Sequence, residues 1–243
     1  MKLVDARLVQ RYVEHDSISA LMDDLSGPRE EALVCQKWLR DSAPKRFIFE
    51  KLYGDLLRDS VGLRVLDVGG GLTCFTRLLA ERHKYHLIDL MAHADESIMR
   101  SLSTESRGPH IHVVDWYDFQ PNEGGYDIVV ANDLFPNVDQ RLALFLDKIL
   151  PISGEVRLSL TYYPDPRFYV TRRVRGDEYL CMLAWDGETT AHALERFVEY
   201  LDEPELELMT RDSISVYPNG RQVCLVKFVG KLAEPVKRKG TAE

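Results

Sequence analysis

Four aspartates carry the chemistry that this sequence advertises. Asp67, Asp89, Asp115 and Asp133 each stand at or just beyond the end of a short apolar run, in VLDV, LID, HVVD and VVAND. Carboxylates gathered at one edge of a sheet suit a ligand rich in hydroxyls, amines or positive charge. Any one of them alone has a plainer account, since turns and strand ends favour Asp anyway; their recurrence in step with the apolar runs argues for a shared site. After the first comes Gly69-Gly70-Gly71. Glycine has no Cβ and tolerates positive φ, so the backbone there can approach a ligand closely. Phe75, Leu78 and Leu79 follow at helical spacing. An apolar run, a glycine turn and a helix make the first unit of a nucleotide-type binding site.

The elements that must position these residues can be read around them. Strands are expected at 63–68, 85–89, 110–115, 126–131 and 155–161, with helices at 74–83 and 141–150. Short apolar strands alternating with helices predict a parallel sheet covered on both faces. Residues 1–60 read as helical, with Asp16 or Ser17 capping a second helix, Gly27-Pro28 starting a third and Ser42-Ala43-Pro44 starting a long one. Phe168–Val174 and Tyr179–Trp185 flank Arg175-Gly176-Asp177 as an inserted β-hairpin. Thr189 or Thr190 is expected to cap a late helix. Asn219-Gly220, between Ile214–Tyr217 and Gln222–Val229, predicts a closing hairpin and an antiparallel end to the sheet.

Composition narrows the classes. At 243 residues the chain is long enough for one sizeable core, and 45% hydrophobic with 29% charged residues is ordinary for a soluble globular protein. A net charge of −8 disfavours a nucleic-acid partner, because phosphate binding wants a basic surface. No segment approaches the ~20 apolar residues of a membrane helix, and the N-terminus lacks the apolar stretch of a signal peptide. Cys35, Cys74, Cys181 and Cys224 are scattered, which predicts buried free thiols, no disulfide frame, no metal site and a cytoplasmic location.

Over roughly residues 60 to 160, the sequence resembles the class I S-adenosylmethionine-dependent methyltransferases in LDVGGGLT, LIDL, VVDW and VVANDLF, in that order. The resemblance implies an α/β, Rossmann-like fold: a seven-stranded, mostly parallel sheet with an antiparallel last strand. It implies an N-terminal helical cap or lid at 1–60, a cofactor-binding core at 61–230 carrying the inserted hairpin 168–185, and a charged tail at 231–243. Asp67 would meet the methionine amino group, and Gly69, Gly70 and Gly71 would let the backbone approach the cofactor. Asp89, with Leu90 beside it, would accept from the ribose hydroxyls; a carboxylate suits a vicinal diol and forms the stronger, charge-assisted class of hydrogen bond. Asp115 would meet the adenine amino group with Trp116 beside the ring. Asn132 and Asp133 would lie near the sulfonium and the acceptor, with Pro136 setting the loop's direction. The product would be S-adenosylhomocysteine, and such a reaction needs no metal.

The acceptor implied is a small molecule methylated on nitrogen or oxygen, in secondary-metabolite biosynthesis. Tyr12, Phe135, Tyr162 and Tyr163 are candidates for its pocket, and Asp133 or His15 for a polar or basic role. Packing accounts for the tyrosines equally well, and solvent exposure for His15. His112 reads as a packed strand residue and His192 as a surface one. Arg172, Arg173 and Arg175, with Lys45 and Arg46, could bind an acidic group or form a solvated face. The hairpin leaves open a substrate lid, a homodimer contact or plain elaboration. Two other functions stay open. Asp89 lies at the distance from Gly69 that suits an NAD ribose acid, although Cys74 stands where the fingerprint wants a third glycine. A non-catalytic methyltransferase-like partner subunit is the second.

Overall fold

The computed structural model describes residues 1–91, 108–121, 123–172, 179–211 and 213–232, without the side chains of 171 and 172. Elements are numbered here in chain order among those residues. Two residues, β1 (Lys2–Leu3), precede a run of helices: α1 (Ala6–Val13), α2 (Ser17–Leu25), α3 (Pro28–Glu31), α4 (Val34–Arg40) and α5 (Ala43–Arg58). Then come β2 (Arg64–Val68), α6 (Cys74–Arg82), β3 (Lys84–Ile88), β4 (His110–His112), β5 (Tyr126–Ala131), α7 (Leu142–Ile149) and β6 (Ser153–Tyr162). The hairpin β7 (Arg167–Arg172) and β8 (Tyr179–Ala184), α8 (Gly187–Leu194) and β9 (Gln222–Val229) complete the order.

One seven-stranded sheet runs β1-β9-β6-β5-β2-β3-β4. β2 to β6 are mutually parallel, and β9 lies antiparallel against both β6 and β1. This is the Rossmann-like, mostly parallel sheet expected from the sequence. Alternation along each strand feeds two cores. Val65 packs with the N-terminal helices and α6, while its neighbour Leu66 packs with α7 on the opposite face, and both are fully buried. The chain winds outward from β2 to β4, then returns to β5 and goes on to β6. The order therefore reverses between β2 and β5, which is where an open parallel sheet leaves a crevice at the carboxyl ends of its strands.

The helical cap is fixed to that sheet by packing and charge. Ser42 caps α5, which buries Phe47, Ile48, Phe49, Leu52, Tyr53, Leu56 and Leu57. Arg157 on β6 reaches α5, with Nη1 and Nη2 on the Asp55 carboxylate at 2.6 and 2.8 Å and Nη1 on the Leu52 carbonyl at 2.7 Å.

Several expectations need correction. The first residues are not helical throughout: Lys2 and Leu3 form the edge strand, because β9 offers a free ladder face there. The third helix breaks into α3 and α4. Asp186, not Thr189 or Thr190, caps α8, its carboxylate accepting from Thr189 N at 2.8 Å. The Asn219-Gly220 turn forms, with Gly220 at φ +81°, but residues 213–217 are not a strand. β6 and β1 already occupy both edges of β9, and Ser213 is tied to Gln222 through the glutamine side chain instead. Of the free thiols, Cys74 and Cys224 are buried but Cys181 is exposed.

Candidate functional site

A cleft of about 790 Å³ opens at the switch point. Gly69, Gly70, Asp89, Leu90, Asp115 and Trp116 line one end, over β2 to β4. Asn132, Asp133, Thr161, Tyr217 and Arg221 line the other, over β5, β6 and β9. Trp38 of α4 and Lys45 of α5 form a wall from the helical cap, and Leu180 and Met182 of β8 form another. Leu180 and Met182 of the hairpin thus face the cleft, while Phe168, Val170 and Tyr179 are exposed.

The glycine turn is sterically determined. Gly69 and Gly71 have φ of +74° and +64°, where a side chain is strained. A Cβ on Gly70 would stand 2.4 Å from Asp67 Oδ1, and one on Gly71 would stand 2.4 Å from Cys35 Sγ. Asp67 consequently lies beneath the turn and not in the cleft. Its carboxylate is buried and accepts from the Tyr53 hydroxyl at 2.9 Å and the Tyr85 hydroxyl at 2.6 Å. Burial pushes this carboxyl up to about 7 even though both tyrosines oppose the shift. Asp89 braces the same turn: Oδ2 accepts from Gly71 N at 3.2 Å and Oδ1 from Met91 N at 2.6 Å.

Asp115 accepts from Tyr117 N at 2.8 Å and from Arg141 Nη2 at 2.8 Å. Partial burial works against its charge, but the Arg141 guanidinium outweighs it and holds the carboxyl below its usual range. Trp116 is buried, donates to Asp139 at 2.7 Å and lies under the Arg141 guanidinium. Asn132 accepts from the Ser159 hydroxyl at 2.7 Å. Asp133 sits at φ +54°, with its carboxylate between two cations. Lys45 Nζ is 3.5 Å away and Arg221 Nη1 3.4 Å, and Thr161 donates at 3.1 Å. Burial opposes its charge, yet Arg221 and Lys45 overcome this and keep it ionised below the ordinary carboxylate range.

Other candidates lie outside the cleft. Tyr12 bridges Asp16 Oδ1 at 2.9 Å and Ile18 N at 3.2 Å, so it closes the α1–α2 corner. His15 is exposed in that corner. Phe135 is buried against Trp116 and Phe145, and Tyr162 is buried in the same core. Tyr163 is buried with its ring under Arg167. Apolar strand-end residues turned inward here because the core on that face takes them. Arg46 holds Asp16 at 2.9 Å and does not reach the cleft; the side chains of Arg172, Arg173 and Arg175 lie outside the described residues. His112 is hydrogen-bonded to His86 at 3.0 Å, and His192 is exposed. Sequence reasoning missed Trp38, Arg141, Tyr217 and Arg221, which come from four separate segments with no local motif.

Among the described residues, no group of three or more His, Cys, Asp or Glu is placed to hold a metal, and no helix is long and apolar enough to cross a membrane.

No family profile and no curated protein matches the chain. Among solved structures, it is similar to a putative RNA methyltransferase of Pyrococcus horikoshii, with 16% identity, 89% of this chain and 98% of that chain covered, and a TM-score of 0.49. It is similar also to a putative S-adenosylmethionine-dependent methyltransferase of Listeria monocytogenes, with 15% identity, 76% and 98% covered, and a TM-score of 0.47. A third is the magnesium protoporphyrin IX methyltransferase of Synechocystis, solved with S-adenosylhomocysteine bound, with 13% identity, 87% and 98% covered, and a TM-score of 0.46.

Proposed function

We propose that the protein is an S-adenosylmethionine-dependent methyltransferase acting on nitrogen or oxygen of a small molecule. The observation that carries this reading is the glycine turn after β2 sharing one cleft with strand-end carboxylates after β3 and β4. Gly69 and Gly70 line the cleft with backbone that carries no side chain, so a ligand could approach it closely. Asp89 and Asp115 supply acceptors for a ribose diol and an adenine amino group, and Trp116 and Leu90 supply apolar wall.

When bound, S-adenosylmethionine supplies a methyl group on a cationic sulfur, which leaves as a neutral thioether. The chain's task is to orient the two partners and exclude water, and alignment of this kind can contribute ~7–11 kcal/mol to lowering a barrier. Asp89 and the glycine turn would fix the donor end. Lys45, Asp133, Thr161 and Arg221 would orient the acceptor, with Trp38, Tyr217 and the β8 side chains keeping water out. Asp133 is held by two cations and is a weak proton acceptor, so its role would be to position.

Calorimetric titration with S-adenosylhomocysteine and with NAD tests the reading. Micromolar binding of the first and none of the second is expected. Binding of NAD alone would turn the assignment to an oxidoreductase, and binding of neither at millimolar concentration would favour a non-catalytic subunit.

A further inference from the structure

We infer that the acceptor is an apolar carboxylic acid whose ionised carboxylate is held by Arg221 and Lys45 and is itself the methylated group. This rests on the methyltransferase reading and adds the substrate class to it.

Among the described residues, the charge at the acceptor end does not cancel. Asp133 contributes one negative charge against the two cations, Lys45 at 3.5 Å and Arg221 at 3.4 Å. The Arg221 side chain is only 12% exposed. Its guanidinium lies 3.9 Å from the centre of the Tyr217 ring, and its Nε–H is buried with no hydrogen-bond partner among the described residues. A buried donor left unmatched is costly unless a ligand meets it, and a guanidinium fork suits a carboxylate geometrically. Arg221 immediately precedes β9, whose first residue, Gln222, is paired with Tyr162 at the end of β6. It therefore stands on the β6 side of the switch point, away from the glycine turn, Asp89 and Asp115. Tyr217 stacks on it, and Trp38, Leu180 and Met182 line the same cleft beside polar Thr161 and Asn137, which gives a hydrocarbon body apolar surface to pack on.

The proton chemistry agrees. No histidine lines the cleft among the described residues. Burial pushes the Cys35 thiol up to about 11 and the Tyr217 phenol up to about 12, so both stay protonated at neutral pH, and Asp133 is occupied by its cations. A neutral hydroxyl would find no free base at this end among the described residues. A carboxylate needs none. Its oxygen lone pair becomes the O–CH₃ bond, the C–S bonding pair goes to sulfur, and the anionic and cationic charges cancel to an ester and a thioether. No proton moves.

Calorimetry with naphthoate, its neutral analogue naphthamide and the cation naphthylmethylamine tests this, with and without S-adenosylhomocysteine. Naphthoate should bind about tenfold or more tightly than either analogue, and Arg221→Gln should reduce that preference to about threefold or less, with S-adenosylhomocysteine affinity unchanged. Lys45→Gln should reduce it in the same direction, and Arg221→Lys should keep part of it; thermal melts confirm that each variant folds. Equal binding of naphthamide or the amine, or no naphthoate binding at millimolar concentration, overturns the proposal. So does an Arg221→Gln variant that loses S-adenosylhomocysteine and keeps its naphthoate preference, since the carboxylate held there would then be the cofactor's own. Failure of S-adenosylhomocysteine to bind the native protein would sink the methyl-donor reading, whereas the titrations without it report the acid preference separately.

Discussion

Gly70→Ala is the sharpest structural test of the cradle. Unlike its neighbours, Gly70 has no positive φ, so alanine fits its backbone. The whole penalty comes from what a methyl group would meet: Asp67 Oδ1 at 2.4 Å, Oδ2 at 2.5 Å and Cγ at 2.6 Å. The carboxylate cannot swing aside freely, because the Tyr53 and Tyr85 hydroxyls hold it at 2.9 and 2.6 Å. Moving it weakens one or both bonds, at ~1–3 kcal/mol each in a buried setting. Alanine recovers ~0.4–1 kcal/mol by restricting the unfolded chain. The net expectation is a loss of about 2 kcal/mol, or about 4–8 °C in Tm for a chain of this size. Urea melts of the single variant, and of Gly70→Ala in an Asp67→Ala background, measure it. The second comparison is decisive, since removing the carboxylate removes the obstacle and the cost of the methyl should nearly vanish. A cost below ~0.5 kcal/mol in the native background, or the same cost in both, would refute the reasoning.

Further outcomes follow from the same geometry. The native state holds the Asp67 proton more tightly than the unfolded chain, so stability from this group is present below about pH 4 and is lost as pH rises to about 7. Asp67→Asn should remove that slope from the pH dependence of urea melts, and an unchanged slope would show that the burial is misjudged. Asp55→Ala leaves Arg157 without its bidentate partner and should cost about 1–3 kcal/mol in urea melts, between the values for exposed and buried pairs. His15→Ala should keep full kcat with any acceptor, since the residue is exposed outside the cleft; a large loss would mean that the helical cap rearranges over the site.

The repetitive part of the fold was legible because strand and helix periodicities are local. β2, β3, β5 and α6 match their expected ranges to within a residue or two. β4 is shorter than expected, because only His110–His112 find partners on β3. The closing hairpin failed for a non-local reason: its turn signal is real, but β6 and β1 outcompete residues 214–217 for β9. The same contrast holds in the cleft. Asp89, Asp115 and Asp133 could be located by their place after a strand. Arg221, Arg141 and Trp38 could not, because they converge only after the sheet and cap are assembled. The burial of Asp67 beneath the turn was equally hidden, since it depends on tyrosines 14 and 18 residues away.

The central proposal is that Asp89 and the glycine turn would hold the methyl donor at their end of the cleft. Calorimetric titration of S-adenosylhomocysteine into the native protein and into Asp89→Ala tests it most directly, with Asp89→Asn to separate lost charge from disturbance of the turn. Removing the charge-assisted acceptor should weaken binding by about 1–3 kcal/mol, roughly five- to 150-fold, with the asparagine variant intermediate. Equal affinity in all three proteins would contradict the account.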